Sequence, residues 1–414
     1  DFCLSRGLGD VYKRQFVMFV CKFGGTALSD AQNVKKVIKI IKSDKARRFV
    51  VVSAMGKAFV KDRKVTDVLC DCFFELNETG SMKSWDFVAN KYLSLAEKLD
   101  APVDMRALLK NVREQILASP YRDFVVSRGE YLSAKLLSAA LGFRYIEAAE
   151  VVRFFPDGAL NLAESERLLA DSAKNCAKGC VMGGFYGSDG MRTVTFPRGG
   201  SDISGAVAAA ALNAEIYENW TDVDGFFAAD PSMVFSPRLV PCLSYEQLRI
   251  LSSLGARVLH SDSVLPVCAK NIPINIRNFY KPHLDGSMIV PVSASGRRIC
   301  GIVSETVYKY SFSGSFYLPP KASVLFQSVS PKGRICVTKQ RLPAGSASCG
   351  FKAEQKCLVG AVFHQCADMA EKASRALSQK NIGYEILSCD RTLLLLLTDS
   401  SDRVEAVRAL NDLV

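Results

Sequence analysis

The chain has 414 residues, 49% of them hydrophobic and 23% charged, enough for two or three domains with substantial cores. Its longest uninterrupted aliphatic run, residues 393–397, falls far short of the roughly 20 residues that cross a bilayer, and no apolar segment carries secretory flanks, so a cytoplasmic globular protein is expected. The net charge of +11 does not single out a nucleic-acid partner, because the basic residues are dispersed. Lys35, Lys36, Lys39 and Lys42, for example, alternate with Val34, Val37, Ile38 and Ile41 on a helical period, as on a solvated helix face.

The 14 cysteines are scattered through apolar segments, as at Cys21, Cys268 and Cys300, and are expected mostly as reduced, buried, small hydrophobes. Cys70 with Cys72 and Cys176 with Cys180 lie close enough to share a metal, but neither pair has a matching second pair or a nearby histidine, so no metal site is expected.

Residues 1–17 lack periodicity and resemble translated adaptor sequence; they are read as a non-native or disordered leader, with Met18 as a native start. From there β-branched runs alternate with helical patterns: a strand at 19–22, a helix at 29–43 and a strand at 49–53, the rhythm of a mainly parallel sheet covered by helices. Residues 58–118 read as a helical lobe inserted before the next strand. That strand is placed at 124–127, with Gly129 and Glu130 opening an alanine- and leucine-rich helix that ends near Gly142. GGFYGSDGMRTVTF reads as a hairpin turning at 187–190, and PRGGSD leads into ISGAVAAAALN, a helix whose small side chains permit close packing on a sheet. EIYENWTD and IPINIRN read as buried strands with the helix SYEQLRILSSLGARVLH between them. The last stretch has a complete βαββα pattern: LVGAV, ADMAEKASRALSQKN, YEILSC, RTLLLLLTD and SDRVEAVRALNDLV.

Two glycine turns each stand between a strand and a helix. In KFGGT, Gly24 and Gly25 let backbone N–H groups approach a phosphate at a positive helix end, with Lys22 as a compact cation, although a plain tight turn uses glycines too. Gly56-Lys57 lacks the spacing of a P-loop. In PRGGSD, Arg198 offers a planar fork for a carboxylate, and Asp202 fits a helix cap as readily as a catalytic role. Thr221 and Asp222, in TDVDG before Ala229-Asp230-Pro231, fit either a nucleoside or an Asx turn. Glu130 is a cap or an ammonium ligand; position alone leaves both open.

Together KFGGT (22–26), SRGE (127–130), PRGGSD (197–202), WTDVDGFFAADP (220–231) and LGARVLH (254–260) resemble, in order and approximate spacing, the aspartokinases of the amino acid kinase family. The resemblance covers about residues 18–293 and implies a three-layer αβα sandwich, with an aspartate-binding lobe at about 18–195 and a nucleotide-binding lobe at about 196–293. It implies ATP, magnesium carried with ATP, and L-aspartate as acceptor. Lys22, Phe23, Gly24, Gly25, Thr221, Asp222, Phe227, Arg257 and Val258 would then hold ATP. Thr66, Glu130, Arg198, Gly199, Gly200 and Ser201 would hold aspartate, with Glu130 on the amino group and Arg198 on the α-carboxylate. Lys22 and Asp202 would be catalytic, Asp202 as the organiser of Lys22, and no protein metal site is implied.

Residues 294–414 resemble an ACT-like regulatory region, an α+β module with a complete second unit at 357–414 and an abbreviated first unit at 301–350. A homodimer or higher homo-oligomer is implied. Inhibition by lysine or threonine is expected to be weak or absent, because no amphipathic helix separates the strand-like pieces at 323–327 and 335–338. Ala27 stands where the family commonly has serine, Arg257 where several members have lysine and Phe227 where some have tyrosine. The alternatives are another kinase of this fold, acting on glutamate, acetylglutamate or UMP, and a catalytically inactive amino-acid sensor; the WTDVDG and ACT-like features weigh against the first, and intact Lys22, Arg198 and Asp202 against the second.

Overall fold

The computed structural model describes residues 17–174, 176, 178–197, 199–256, 259, 263–292, 299–312, 318–319, 322–330, 333–343, 352–363 and 368–413. They fall into two compact units, one within 1–225 and 262–291, the other within 226–261 and 292–414. No helix among the described residues is long and apolar enough to cross a membrane.

The first unit is built on strands β1 (Phe19–Phe23), β2 (Arg47–Val52), β3 (Arg144–Ile146) and β4 (Cys180–Gly183), the hairpin β5 (Tyr186–Ser188) and β6 (Thr193–Thr195), then β7 (Ile216–Thr221), β8 (Ile274–Asn278) and β9 (Ser287–Val290). Its helices are α1 (Ala31–Lys42), α2 (Val65–Thr79), α3 (Trp85–Leu99), α4 (Met105–Ala118), α5 (Arg122–Leu141), α6 (Leu162–Ala173) and α7 (Gly200–Ala211). The main sheet of this unit runs in the order β9-β8-β7-β1-β2-β4-β3, parallel except where β9 turns back along β8.

Strand alternation gives β1 two faces. Cys21 and Phe23 point into the core shared with α1 to α5, whereas Lys22 points to the side where α7 lies. The small residues of α7 bring its backbone down onto β7: a Cβ at Gly205 would stand 2.5 Å from the Tyr217 hydroxyl. The result is the expected three-layer α/β sandwich. The chain leaves β1 for β2 on one side and returns to β7 on the other, so the C-terminal ends of β1 and β7 flank a topological switch point, where open α/β sheets bind ligands.

Three sequence expectations change. Residues 124–127 are not a strand but part of α5, a 20-residue helix. It is buried nearly all round from Val125 to Ser138, so its apolar residues show neither helical nor strand periodicity, and its β-branched run misleads. Glu130 therefore sits in mid-helix. Cys176 and Cys180 form a disulfide with Cα atoms 5.9 Å apart. The helix placed at 244–260 is α8 (Tyr245–Ser253), closed by Gly255 at φ +106°.

The second unit begins with a two-stranded pair, Phe226–Phe227 with Leu239–Val240, followed by α8, whose N-terminus carries a Ser244/Gln247 capping box. Its sheet is antiparallel and contains β10 (Ile299–Phe312), β11 (Val324–Ser330), β12 (Gly333–Thr338), β13 (Lys352–Phe363), β14 (Tyr384–Cys389) and β15 (Leu393–Thr398), in the order β11-β12-β10-β13-β15-β14. Helices α9 (Met369–Gln379) and α10 (Arg403–Asn411) pack Leu377, Ala406 and Leu410 on Val359, Leu394 and Leu396. This is the βαββα pattern read from the sequence. Between Phe312 and Lys352 the described residues form strands and no helix.

Candidate active site

Both glycine turns of the first unit lie at strand-to-helix junctions. After β1 the chain makes a single 3₁₀ turn, Gly25–Leu28, and enters α1 through Asp30, whose carboxylate accepts from the Asn33 backbone N–H at 3.0 Å. The Gly24 N–H donates to the Trp220 carbonyl at 3.3 Å, which ties this turn to the end of β7. The second turn starts α7: Gly199 is the cap residue at φ +60°, a left-handed conformation that favours glycine.

The two turns meet through one ion pair. Lys22 Nζ lies 2.6 Å from Asp202 Oδ1, and the Asn219 side-chain amide donates to that same oxygen at 2.9 Å. Lys22 is 9% exposed and folds back over its own turn, so that a Cβ at Gly24 would stand 3.7 Å from Nζ. Thr26 Oγ1 donates to Asp222 Oδ2 at 3.3 Å, bringing TDVDG to the first turn. Farther along that loop Asp224 accepts from Lys281 Nζ at 2.8 Å and from Asn278 Nδ2 at 2.6 Å, bonds that hold its carboxyl below the usual range.

Beside the first turn lies a cavity of about 390 Å³ lined by Gly25, Thr26, Gly56, Lys57, Lys64, Thr66 and Glu130, among others. Glu130 is 4% exposed and its Oε2 has no hydrogen-bond partner. Burial pushes its carboxyl up to about 8, only partly offset by the Ala54 N–H. A buried carboxylate with one oxygen unpartnered, opening on a cavity, favours a cationic group there, because its ionised form is otherwise poorly compensated. Ser201 packs at the other turn: a Cβ at Gly184 would come within 2.9 Å of its Oγ.

Lys22, Gly24, Gly25, Thr221, Asp222 and Asp202 thus gather at the switch point, Gly199, Gly200 and Ser201 begin α7, and Thr66 and Glu130 line the adjoining cavity. The Phe23 side chain is fully buried and stacks on Trp220 with centroids 5.9 Å apart, so only its backbone is available to a ligand. Phe227 belongs to the second unit. Arg198, Arg257 and Val258 lie outside the described residues. Asn219 and Gly56 were not legible as site residues. The signal for Asn219 was a polar residue in a buried strand on the opposite face from Glu218; for Gly56, a glycine pressed on another glycine, there was none.

The family model described as "Amino acid kinase family" matches residues 17–278. Aspartokinase 3 of Bacillus subtilis is 33% identical over 309 residues, covering 70% of this chain and 67% of that protein. The crystal structure of Clostridium acetobutylicum aspartate kinase superposes with a TM-score of 0.85 at 28% identity, over 96% of this chain and 99% of that one. Escherichia coli aspartokinase III, in complex with aspartate and ADP, shares the fold with a TM-score of 0.75 at 22% identity, over 96% and 99%. The chain belongs to the amino acid kinase family, in its aspartokinase branch.

Proposed function

We propose that this chain performs ATP-dependent phosphorylation of the side-chain carboxylate of L-aspartate, an early step of amino-acid biosynthesis, at the switch point of its first unit. The Lys22–Asp202 pair between two diglycine turns carries this reading. The obstacle to the reaction is electrostatic rather than acid–base. The acceptor is already ionised at neutral pH and has no proton to give up, so no general base is required. An oxygen of the aspartate carboxylate forms a bond to the γ-phosphorus as the bridging bond to the β-phosphate breaks and ADP departs.

Lys22 and the Gly25 N–H stabilise the charge on the transferring group, and Asp202, fixed by Asn219, keeps Lys22 aimed. Thr221 and Asp222 hold the nucleoside side, joined by Phe227, Arg257 and Val258. Glu130 takes the substrate ammonium and Arg198 its α-carboxylate, with Thr66, Gly199, Gly200 and Ser201 completing the acceptor pocket. Magnesium would arrive on the phosphates of ATP rather than in a cage of protein ligands. Bound in that way the ion neutralises phosphate charge.

The ACT-like module of the second unit is the place for an amino-acid effector, and the working form is a homo-oligomer. Incubation with Mg-ATP, aspartate and hydroxylamine tests the assignment. Aspartate-dependent aspartyl hydroxamate is expected; product only with glutamate, or none, would overturn it.

A further inference from the structure

We propose that Lys91 of α3 and Asp62 form a latch that seats loop 56–64 against the first diglycine turn, making both of them positioning residues for the acceptor pocket. The inference rests on the aspartokinase reading of that pocket, but neither residue has a place in the chemistry above. Lys91 Nζ donates to Asp62 Oδ2 at 2.7 Å, to the Gly56 carbonyl at 2.8 Å and to the Arg63 carbonyl at 3.1 Å. All three acceptors belong to one loop. Asp62 in turn accepts from the backbone N–H of Ala58 at 2.7 Å and of Arg63 at 2.8 Å. One ammonium from a neighbouring helix thus gathers both ends of the loop and its interior.

The pair is well shielded, with side-chain exposures of 12% for Lys91 and 6% for Asp62. Burial alone would raise the Asp62 carboxyl, yet the N–H groups and Lys91 hold it below its usual value, so Asp62 is ionised at neutral pH. A charged, shielded pair with every bond directed at one segment restrains that segment more than it staples the core.

The restraint reaches the reaction centre through glycine backbone. Gly56, whose carbonyl Lys91 holds, donates its own N–H to the Gly25 carbonyl at 2.8 Å, and a Cβ on Gly56 would fall 2.6 Å from the Gly25 carbonyl carbon. The base of the loop is closed by the Val65 N–H on the Met55 carbonyl at 3.0 Å. Lys57 and Lys64 stand at the two ends of the latched segment and line the same cavity as Thr66 and Glu130. Seating the loop therefore sets two cations beside the pocket for an acceptor that carries two carboxylates, and releasing it moves both away while freeing the turn at Gly25.

The full chain with Lys91→Met, Lys91→Arg or Asp62→Asn tests this. Lys91→Met is expected to raise KM for aspartate about tenfold or more, with kcat changed less than about threefold and KM for Mg-ATP less affected, as when a ground-state positioning contact is lost. Lys91→Arg, which keeps the charge, should recover most of that loss. The second readout needs no activity: trypsin cuts after Lys57, Lys61, Arg63 and Lys64, and cleavage in this loop should accelerate at least about fivefold in Lys91→Met and Asp62→Asn relative to other sites. Lys91→Met with a lower melting temperature but unchanged KM for aspartate and unchanged loop cleavage would overturn the proposal and leave a merely structural ion pair. If the parent chain forms no aspartyl hydroxamate, the functional reading fails by itself, and the loop-cleavage rates still decide for or against the latch.

Discussion

On one face of β1 and β7 Glu218 is 2% exposed and takes hydrogen bonds from Arg47 Nε at 2.8 Å and Nη2 at 3.0 Å, from Trp220 Nε1 at 3.0 Å and from the Cys21 thiol at 3.2 Å. On the other face of the same two strands Lys22 meets Asp202 at 2.6 Å, with Asn219 its one further side-chain partner among the described residues. The first carboxylate is saturated: burial would raise its pKa, but Arg47, the Cys21 thiol and the Trp220 N–H together keep it below its ordinary value. The second pair sits between two glycine turns, and the Asp202 side chain is 20% exposed. The difference separates architecture from chemistry. A buried carboxylate with all its lone pairs engaged can only hold strands together, whereas a lysine with one strong partner at a pair of glycine turns can serve a ligand.

Lys22→Ala should break the comparison most visibly, with kcat falling about 10³-fold or more in the hydroxamate assay and the melting temperature nearly unchanged. Next in size, Arg47→Met leaves the buried Glu218 carboxylate with the longer Arg277 contact at 3.4 Å as its cationic partner, at a cost of about 3 kcal/mol; calorimetry should show a marked loss of thermal stability while KM for ATP stays within about twofold. A variant that lost activity without losing stability would show that the Arg47 face also takes part in the reaction.

Glu130 gives a pH-dependent test. Its folded value near 8 lies above the ordinary carboxylate value, so its contribution to stability is full below that ordinary value and is lost as pH rises through about 8. Substrate ammonium binds the ionised form, so KM for aspartate should fall as pH rises from 6 to 8, by up to about tenfold per unit. Glu130→Gln should flatten that slope, raise KM and increase stability above pH 8; an unchanged slope would remove Glu130 from the amino-group site. Asn219→Ala is expected to lower kcat about tenfold by loosening Asp202, with little change in KM for aspartate. The smallest effect belongs to the second unit, where strands without a helix fill the described residues between Phe312 and Lys352: millimolar lysine or threonine should change the rate less than about twofold.

Strand and helix order was largely legible in the sequence, because β1, β7 and β8 are short segments rich in aromatic and β-branched residues and the final βαββα pattern alternates cleanly. α5 was half misread, since a helix buried on every side loses the period that identifies helices. Site residues carried by glycine turns could be named from local pattern, and the resemblance supplied their roles. Asn219 and the Lys91–Asp62 latch could not, because each acquires its meaning from partners far away in sequence, 17 residues for Asn219 and Asp202, 29 for Lys91 and Asp62, whose approach depends on packing rather than on local spacing.

A structure of this chain with Mg-ADP and aspartate would test the cationic cradle most directly. The expected result is a β-phosphate oxygen about 3 Å from Lys22 Nζ, another phosphate oxygen facing the Gly25 N–H, and the aspartate ammonium at Glu130. A nucleotide whose phosphates lie away from both diglycine turns would contradict it.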